Sequence, residues 1–225
     1  MQNIKAVLFD FDGTLVHSID LLVDIFAECL QEQAINSVDS GQIRRLIGEP
    51  IDQIFDKLAE HLSPAERSKL DHAALEKSFR EKEDLRNSAE NIHAIEDTRG
   101  TLEFLKKQKV KLAVVSTKIV TRVEKLTDEL ELTHFFDLIV GRDLIENPKP
   151  NPEPVLYACE KLNVKPSETL FVGDSLLDLG AAKAAKVTFI GVLTGVCNRK
   201  CFEEHKADYI FSHVGEVGSL VEKLR

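Results

Sequence analysis

Ile4-Lys5-Ala6-Val7-Leu8-Phe9-Asp10-Phe11-Asp12-Gly13 decides how the chain is read: an apolar run with one Lys in it stops at two aspartates and a glycine. A short run without polar alternation marks a strand covered on both faces, and the acids and glycine supply the turn that ends it. Comparable runs recur at Val110–Ser116, Phe136–Gly141, Thr169–Gly173, Val187–Val192 and, more weakly, Asp208–Phe211. Helical patterns lie between them at Thr98–Lys107, Val120–Leu130, Pro152–Leu162 and Leu176–Ala185, the last with alanine at 181, 182, 184 and 185 for close packing. Strand and helix alternate from about residue 93 onward, which predicts an α/β fold with a parallel sheet and helices on both faces. A ligand site is then expected at the carboxyl ends of the strands.

Residues 18 to about 90 break this alternation, because nothing there reads as a strand and apolar residues recur at spacings of three and four. Leu21, Leu22, Ile25, Phe26, Cys29 and Leu30 show the pattern. Ser63-Pro64-Ala65-Glu66 has the capping-box form with proline at the first helical position, so a helix is predicted to start there and run past Phe79. Gly48-Glu49-Pro50 marks a break. The expected organisation is a core made of residues 1–16 and 91–225 and an all-helical cap domain at 17–90.

Lys and Arg total 29 against 38 Asp and Glu, a net charge of −9 that repels a duplex or an anionic membrane at long range. No nucleic-acid or membrane partner is therefore expected, whereas a few cations focused in one cleft still admit a small phosphorylated substrate. The first apolar run turns polar at Asp10, too early for a signal peptide or a bilayer span, and a cytoplasmic location is expected. Cys29, Cys159, Cys197 and Cys201 lack the density of a disulfide scaffold. Cys197 and Cys201, with His205 nearby, are read as small hydrophobic or surface thiols rather than a zinc site. Oligomeric state leaves no signal in the sequence.

Polar residues of particular types stand where the apolar runs end. Asp10 and Asp12 precede Gly13-Thr14, Ser116 closes the second run, Lys149 is held between Pro148 and Pro150, and Asp174 and Asp178 lie four apart across a strand-to-helix junction. Each alone reads as a helix cap, a solvated turn or a surface charge. Four independent segments carrying matching residues do not.

With that order and spacing the chain resembles the haloacid dehalogenase superfamily, through Asp10-Phe11-Asp12-Gly13-Thr14-Leu15, Ser116, Lys149 in Lys-Pro-Asn-Pro, and Gly173-Asp174-Ser175-Leu176-Leu177-Asp178. The resemblance covers nearly the whole chain. It implies a Rossmann-like core with an inserted helical cap, and a phosphatase that uses Mg²⁺. Asp10 is then the nucleophile that becomes an aspartyl-phosphate, and Asp12 gives a proton to the leaving oxygen and takes one from water. The resemblance also implies Mg²⁺ ligands at Asp10, the Asp12 backbone carbonyl and Asp174, with Asp178 orienting the groups around them or holding Lys149. Lys149 and Ser116 contact the phosphoryl group, and the Gly13 and Thr14 amides complete its cradle. Asp12 sets the chain apart from the superfamily's dehalogenases, whose carbon chemistry dispenses with a second aspartate.

Specificity is expected from the cap. Arg44 and Arg45 stand in a segment that looks like the cap loop of phosphoglycolate phosphatases, and Lys118 is a further cation candidate. Ser116-Thr117-Lys118 stands where Thr-Asn-Lys is frequent in the family, and His17 where an aspartate often precedes Ser18. The segment Glu146 to Pro154 also looks like the family's pyrophosphatase branch. A phosphoglycolate phosphatase-like activity is expected, with pyrophosphate and sugar phosphates as alternatives; a phosphomutase or a silent binding module would retain the same fold.

Overall fold

Alternation along the strands shows how the sheet is covered. In the computed structural model, which describes residues 3–225, Val7 and Phe9 pack into one hydrophobic cluster while Ala6 and Leu8 pack into another on the opposite face. The same division separates Leu112 and Val114 from Ala113 and Val115, as the two-residue period of a strand requires. The strands are β1 (Ala6–Phe9), β2 (Val16–His17), β3 (His93–Ala94), β4 (Lys111–Val115), β5 (Leu138–Val140), β6 (Thr169–Gly173), β7 (Thr188–Val192) and β8 (Tyr209–Phe211). Six of them form one parallel sheet in the order β5-β4-β1-β6-β7-β8, the α/β architecture expected from the alternation.

The helices are α1 (Ile19–Glu32), α2 (Ser40–Arg44), α3 (Ile51–Glu60), α4 (Pro64–Arg67), α5 (His72–Arg86), α6 (Thr98–Lys107), α7 (Val120–Glu129), α8 (Glu153–Lys161), α9 (Leu176–Ala185), α10 (Arg199–Glu204) and α11 (Val217–Leu224). Residues of α6, α7 and α11 enter the first cluster and residues of α8, α9 and α10 the second. Alanines 181, 182 and 185 are buried at the α9 contact, whereas Ala184 is exposed. From β1 the chain passes to β4 and β5 on one side and returns to β6, β7 and β8 on the other. The direction of winding therefore reverses at the end of β1, where open α/β sheets place their ligands.

Helices α1, α2, α3 and α5 build a third cluster of their own, centred on Phe26. Phe55 meets Phe26 edge-on at 5.4 Å between ring centroids, and Phe79 lies 4.3 Å from it. The short β2 and β3 pair antiparallel, Val16 with Ala94 and His17 with His93, where the chain enters and leaves this helical segment. Among the described residues no helix is long and apolar enough to cross a membrane.

The helix expected from Ser63 past Phe79 is two helices. Ser63 and Glu66 form the capping box, but α4 ends at Arg67. Asp71 then caps α5 by accepting from the Ala74 amide, and the Gln33 side chain clamps the Asp71 backbone with bonds of 3.0 and 2.8 Å. A second N-cap at Asp71, four residues after α4 ends at Arg67, imposes the break, and Gln33 is too distant in sequence to signal it. The expected break at Gly48-Glu49-Pro50 is present, with Gly48 at φ +100° and α3 starting after Pro50.

Phe55→Ala removes a ring that is 1% exposed. The expected loss is about 3–5 kcal/mol of unfolding free energy, read from urea denaturation. A loss below about 1 kcal/mol would mean that the helices repack around the cavity.

Candidate active site

Register in the sheet brings the distant motifs together. Phe9 pairs with Val114 on one side and Val172 on the other, so Asp10 emerges between the ends of β4 and β6, which lead into Ser116 and Asp174. The Asp10 amide donates to the Val172 carbonyl at 2.8 Å, which extends the pairing one residue past β1. Lys149 comes from the loop before α8, and its ammonium donates to Asp10 Oδ1 at 2.6 Å, Asp178 Oδ1 at 2.6 Å and the Val115 carbonyl at 3.3 Å. Asp178 is held from its other side, Oδ2 accepting the Ser175 hydroxyl at 2.5 Å and amide at 3.1 Å. Asp10, Lys149, Asp174 and Asp178 are all buried.

Three buried carboxylates thus face one ammonium. Burial pushes the Asp10 carboxyl up from 3.8 to about 7, with Lys149 opposing and Asp178 adding to the rise. Asp174 is raised well above the usual carboxylate range by burial, then by Asp10 and Asp178. Burial disfavours the charge on Lys149, but Asp10 and Asp178 outweigh it and hold the ammonium above its ordinary range. A further positive charge is what this arrangement lacks.

The donors fit a small hard cation. Ligand oxygens of Asp10, Asp174 and Asp178 all lie within 4.8 Å of one another. Both oxygens of Asp178 are engaged, whereas Asp10 Oδ2 and Asp174 Oδ1 accept no hydrogen bond among the described residues. The Asp12 carbonyl likewise accepts none. An oxygen-only donor set with free carboxylate oxygens on Asp10 and Asp174 suits a hard divalent cation. Asp174 is also tightly cradled: Val196 donates its amide to Oδ2 at 2.7 Å, and a Cβ added to Gly195 would lie 1.8 Å from that oxygen. At Gly13, φ +81°, an added Cβ would lie 2.6 Å from it. Both glycines are required by the closeness of the backbone to Asp174.

Asp12 lies outside this buried group, half-buried in the cavity lining. It accepts from the Ser18 hydroxyl at 2.6 Å, and Lys118 Nζ stands 3.4 Å away. Lys118 in turn pairs with Glu83 of α5 at 2.7 Å, and Arg122 reaches the same carboxylate at 3.0 Å. Burial opposes the charge on Lys118, yet Asp12 and Glu83 hold its ammonium above the ordinary range. Ser116 Oγ accepts the Lys118 amide at 3.1 Å and keeps its own proton free to donate.

Two expectations change. The Gly13 amide donates to the Val16 carbonyl at 2.9 Å and the Thr14 amide to Phe11 at 3.3 Å, because the turn after β1 closes on itself. Neither amide is free to cradle a phosphoryl group, whereas the amides of Asp12 and Thr117 donate to no protein acceptor among the described residues. Arg44 and Arg45 do not line the cavity at the site; Arg44 pairs with Asp20 on the surface. Lys118 does line it. His17 is exposed in β2. The Cys197 and Cys201 sulfurs are 2.7 Å apart, and His205 Nδ1 lies 2.9 Å from the Cys201 carbonyl rather than joining them.

A cavity of about 420 Å³ lies between the strand ends and the helical segment. It contains Asp10, Asp12, Lys118, Lys149 and Asp174, together with Glu83, Arg122 and Val196, which sequence reasoning missed. Glu83 sits in the charged run Glu81-Lys82-Glu83-Asp84 and has no local mark. Gly195, just past β7 in Thr194-Gly195-Val196, carried a usable signal, since glycine at a strand end often marks close backbone approach.

Comparison with known proteins agrees with this geometry. The sequence profile of the haloacid dehalogenase-like hydrolases matches residues 7–192. A pyrophosphatase PpaX of Bacillus cereus (strain G9842) is 30% identical over 216 residues, covering 96% of this chain and 95% of the relative. A Bacteroides fragilis protein assigned to the haloacid dehalogenase-like hydrolases superimposes with a TM-score of 0.85 at 30% identity, over 95% of this chain and 99% of that one. A Haemophilus somnus 129pt protein described as a predicted phosphoglycolate phosphatase gives 0.84 at 26% identity, over 98% and 99%.

The raised Asp10 carboxyl has a measurable consequence in protein kept in a chelator. Between its ordinary 3.8 and about 7 the folded protein retains a proton that the unfolded chain has lost, so stability falls as pH rises through that window. The thermal midpoint in chelator should be lower at pH 8 than at pH 5 by about 5 °C or more. An equal or higher midpoint at pH 8 would contradict the crowding of charge described above.

Proposed function

The chain belongs to the haloacid dehalogenase-like hydrolases and is a phosphatase, and on that premise we propose that it hydrolyses a small organic phosphomonoester through a phosphoryl group carried on Asp10, with Mg²⁺ as cofactor. One observation carries the reading. Asp10 ends the central strand with one oxygen anchored by Lys149 and the other free, while Asp12 opens onto the same cavity from a separate setting. Two carboxylates in different environments can take different roles.

Asp10 Oδ2 attacks phosphorus as the bond from phosphorus to the leaving oxygen breaks. Asp12 protonates that oxygen, and the organic product leaves as an alcohol. A water then attacks the phosphoryl group, Asp12 removes its proton, and Asp10 is released with inorganic phosphate. Lys149 and the Ser116 hydroxyl hold phosphoryl oxygens, and the Asp12 and Thr117 amides are placed to assist. Lys149 also keeps Asp10 oriented before and after the transfer. Mg²⁺, held by Asp10, the Asp12 carbonyl and Asp174, would offset the charge of the buried carboxylates and of the phosphoryl oxygens.

Residues 17–90 act in this reading as a cap over a catalytic core made of 1–16 and 91–225. The β2–β3 ribbon joins the two, and Glu83 ties the cap to Lys118 and Arg122 of the core when it is closed. Closure excludes water from a reactive acyl phosphate until the alcohol has left.

Asp10→Asn preserves shape but removes the attacking charge, and phosphate release from an aryl ester should fall by about three orders of magnitude or more. Retention of more than about a tenth of the activity would exclude Asp10 as nucleophile. A chelator should abolish turnover and Mg²⁺ restore it, while Ca²⁺, larger and tolerant of irregular coordination, occupies the site with poor turnover. Mg²⁺ should also raise the thermal midpoint of the wild type and not that of Gly195→Ala, in which a methyl group displaces the Asp174 carboxylate. An equal rise in both would remove Asp174 from the ligand set.

A further inference from the structure

We propose that the leaving group of the substrate is a largely apolar organic body, about one or two rings in size, and that pyrophosphate and carboxylate-tailed esters are poor substrates. The proposal rests on the phosphatase reading and specifies what fills the cap side of the same cavity.

The cap side carries an apolar wall beside its charged residues. Ile19 and Leu22 of α1, Ile47, Ile51 and Ile54 around α3, and Phe79 of α5 all line it. A volume of about 420 Å³ exceeds what one phosphoryl group needs and falls in the range of pockets that enclose small organic ligands. A polar tail there would exchange water for methyl groups without gaining a partner.

The charges point the same way. The lining holds seven carboxylates against five cations, and four of those cations are already paired. Lys149 serves Asp10 and Asp178, Lys118 serves Asp12 and Glu83, Arg122 serves Glu83 and Asp84, and Arg80 serves Glu76. Arg142 is the lining cation without an ion pair among the described residues, and it stands on the core side just past β5. A second phosphoryl group or a distal carboxylate would therefore sit beside Asp52 and Glu76 with no unpaired cap cation in the lining to receive it, since Arg80 is held by Glu76 and Glu49 is already paired with Lys57. Arg44 and Arg45, the cap arginines that suggested an anionic tail, are outside the cavity.

Non-hydrolysable probes test the pocket apart from the chemistry. With Mg²⁺ in excess, calorimetry should find benzylphosphonate bound at least about tenfold more tightly than methylenediphosphonate or phosphonoacetate. Ile51→Asn, a change at a half-buried position, should weaken benzylphosphonate by about fivefold or more and leave methylenediphosphonate unaltered. Equal or tighter binding of methylenediphosphonate or phosphonoacetate by the wild type would overturn the proposal, as would equal losses for both probes in Ile51→Asn. In parallel, kcat/KM for phenyl phosphate should exceed that for pyrophosphate. Benzylphosphonate selectivity without phosphate release from any ester would uphold the pocket chemistry and refute the hydrolytic reading.

Discussion

The Lys149 ammonium, 2.6 Å from both Asp10 and Asp178 and sealed from water, is the interaction on which the rest of the site depends. Removing one partner from a buried charge group of this kind leaves an uncompensated charge in a medium that cannot solvate it. Lys149 fixes one oxygen of Asp10 and leaves the other without a hydrogen bond among the described residues, and it binds α9 to the end of β1 through Asp178. One cation does not neutralise three buried acids, and that deficit makes the site receptive to a divalent cation.

The sheet makes this placement possible. Because β1 lies between β4 and β6, residues more than 100 positions apart converge at three adjacent strand ends, and the parallel direction ensures that all three are carboxyl ends. Glycine completes it: Gly13 and Gly195 bring backbone against Asp174 where a side chain would collide with the carboxylate. The helical segment contributes the other half of the cavity, and its single buried carboxylate, Glu83, reaches across to the cations beside Asp12. The helical segment and Asp12 are thereby linked through Lys118.

Much of this was legible in the sequence, since strand ends announce themselves where an apolar run meets Asp, Ser or Gly. Thr98–Lys107 and Leu176–Ala185 appear as helices with the bounds their patterns indicate. The resemblance grouped Asp10, Asp12, Ser116, Lys149 and Asp174, and of these Asp10, Asp12, Lys149 and Asp174 line one cavity. Other features depend on contacts that local patterns do not encode. The break between α4 and α5 is enforced by Gln33 from another helix, the Gly13 and Thr14 amides turn inward because of the local turn, and Arg44 finds Asp20 instead of the cavity. Glu83 is one acid among several in its helix until the fold brings Lys118 and Arg122 against it.

Transfer of the phosphoryl group to Asp10 is the central claim, and it is open to direct observation. Protein mixed with an aryl phosphate and Mg²⁺, quenched in acid within a turnover and fragmented for mass spectrometry, should carry a phosphoryl group on Asp10. Asp12→Asn protein should retain that group longer, because the water that removes it lacks its base. Steady release of phosphate with no phosphorylated Asp10 at any time point, in either protein, would contradict the account.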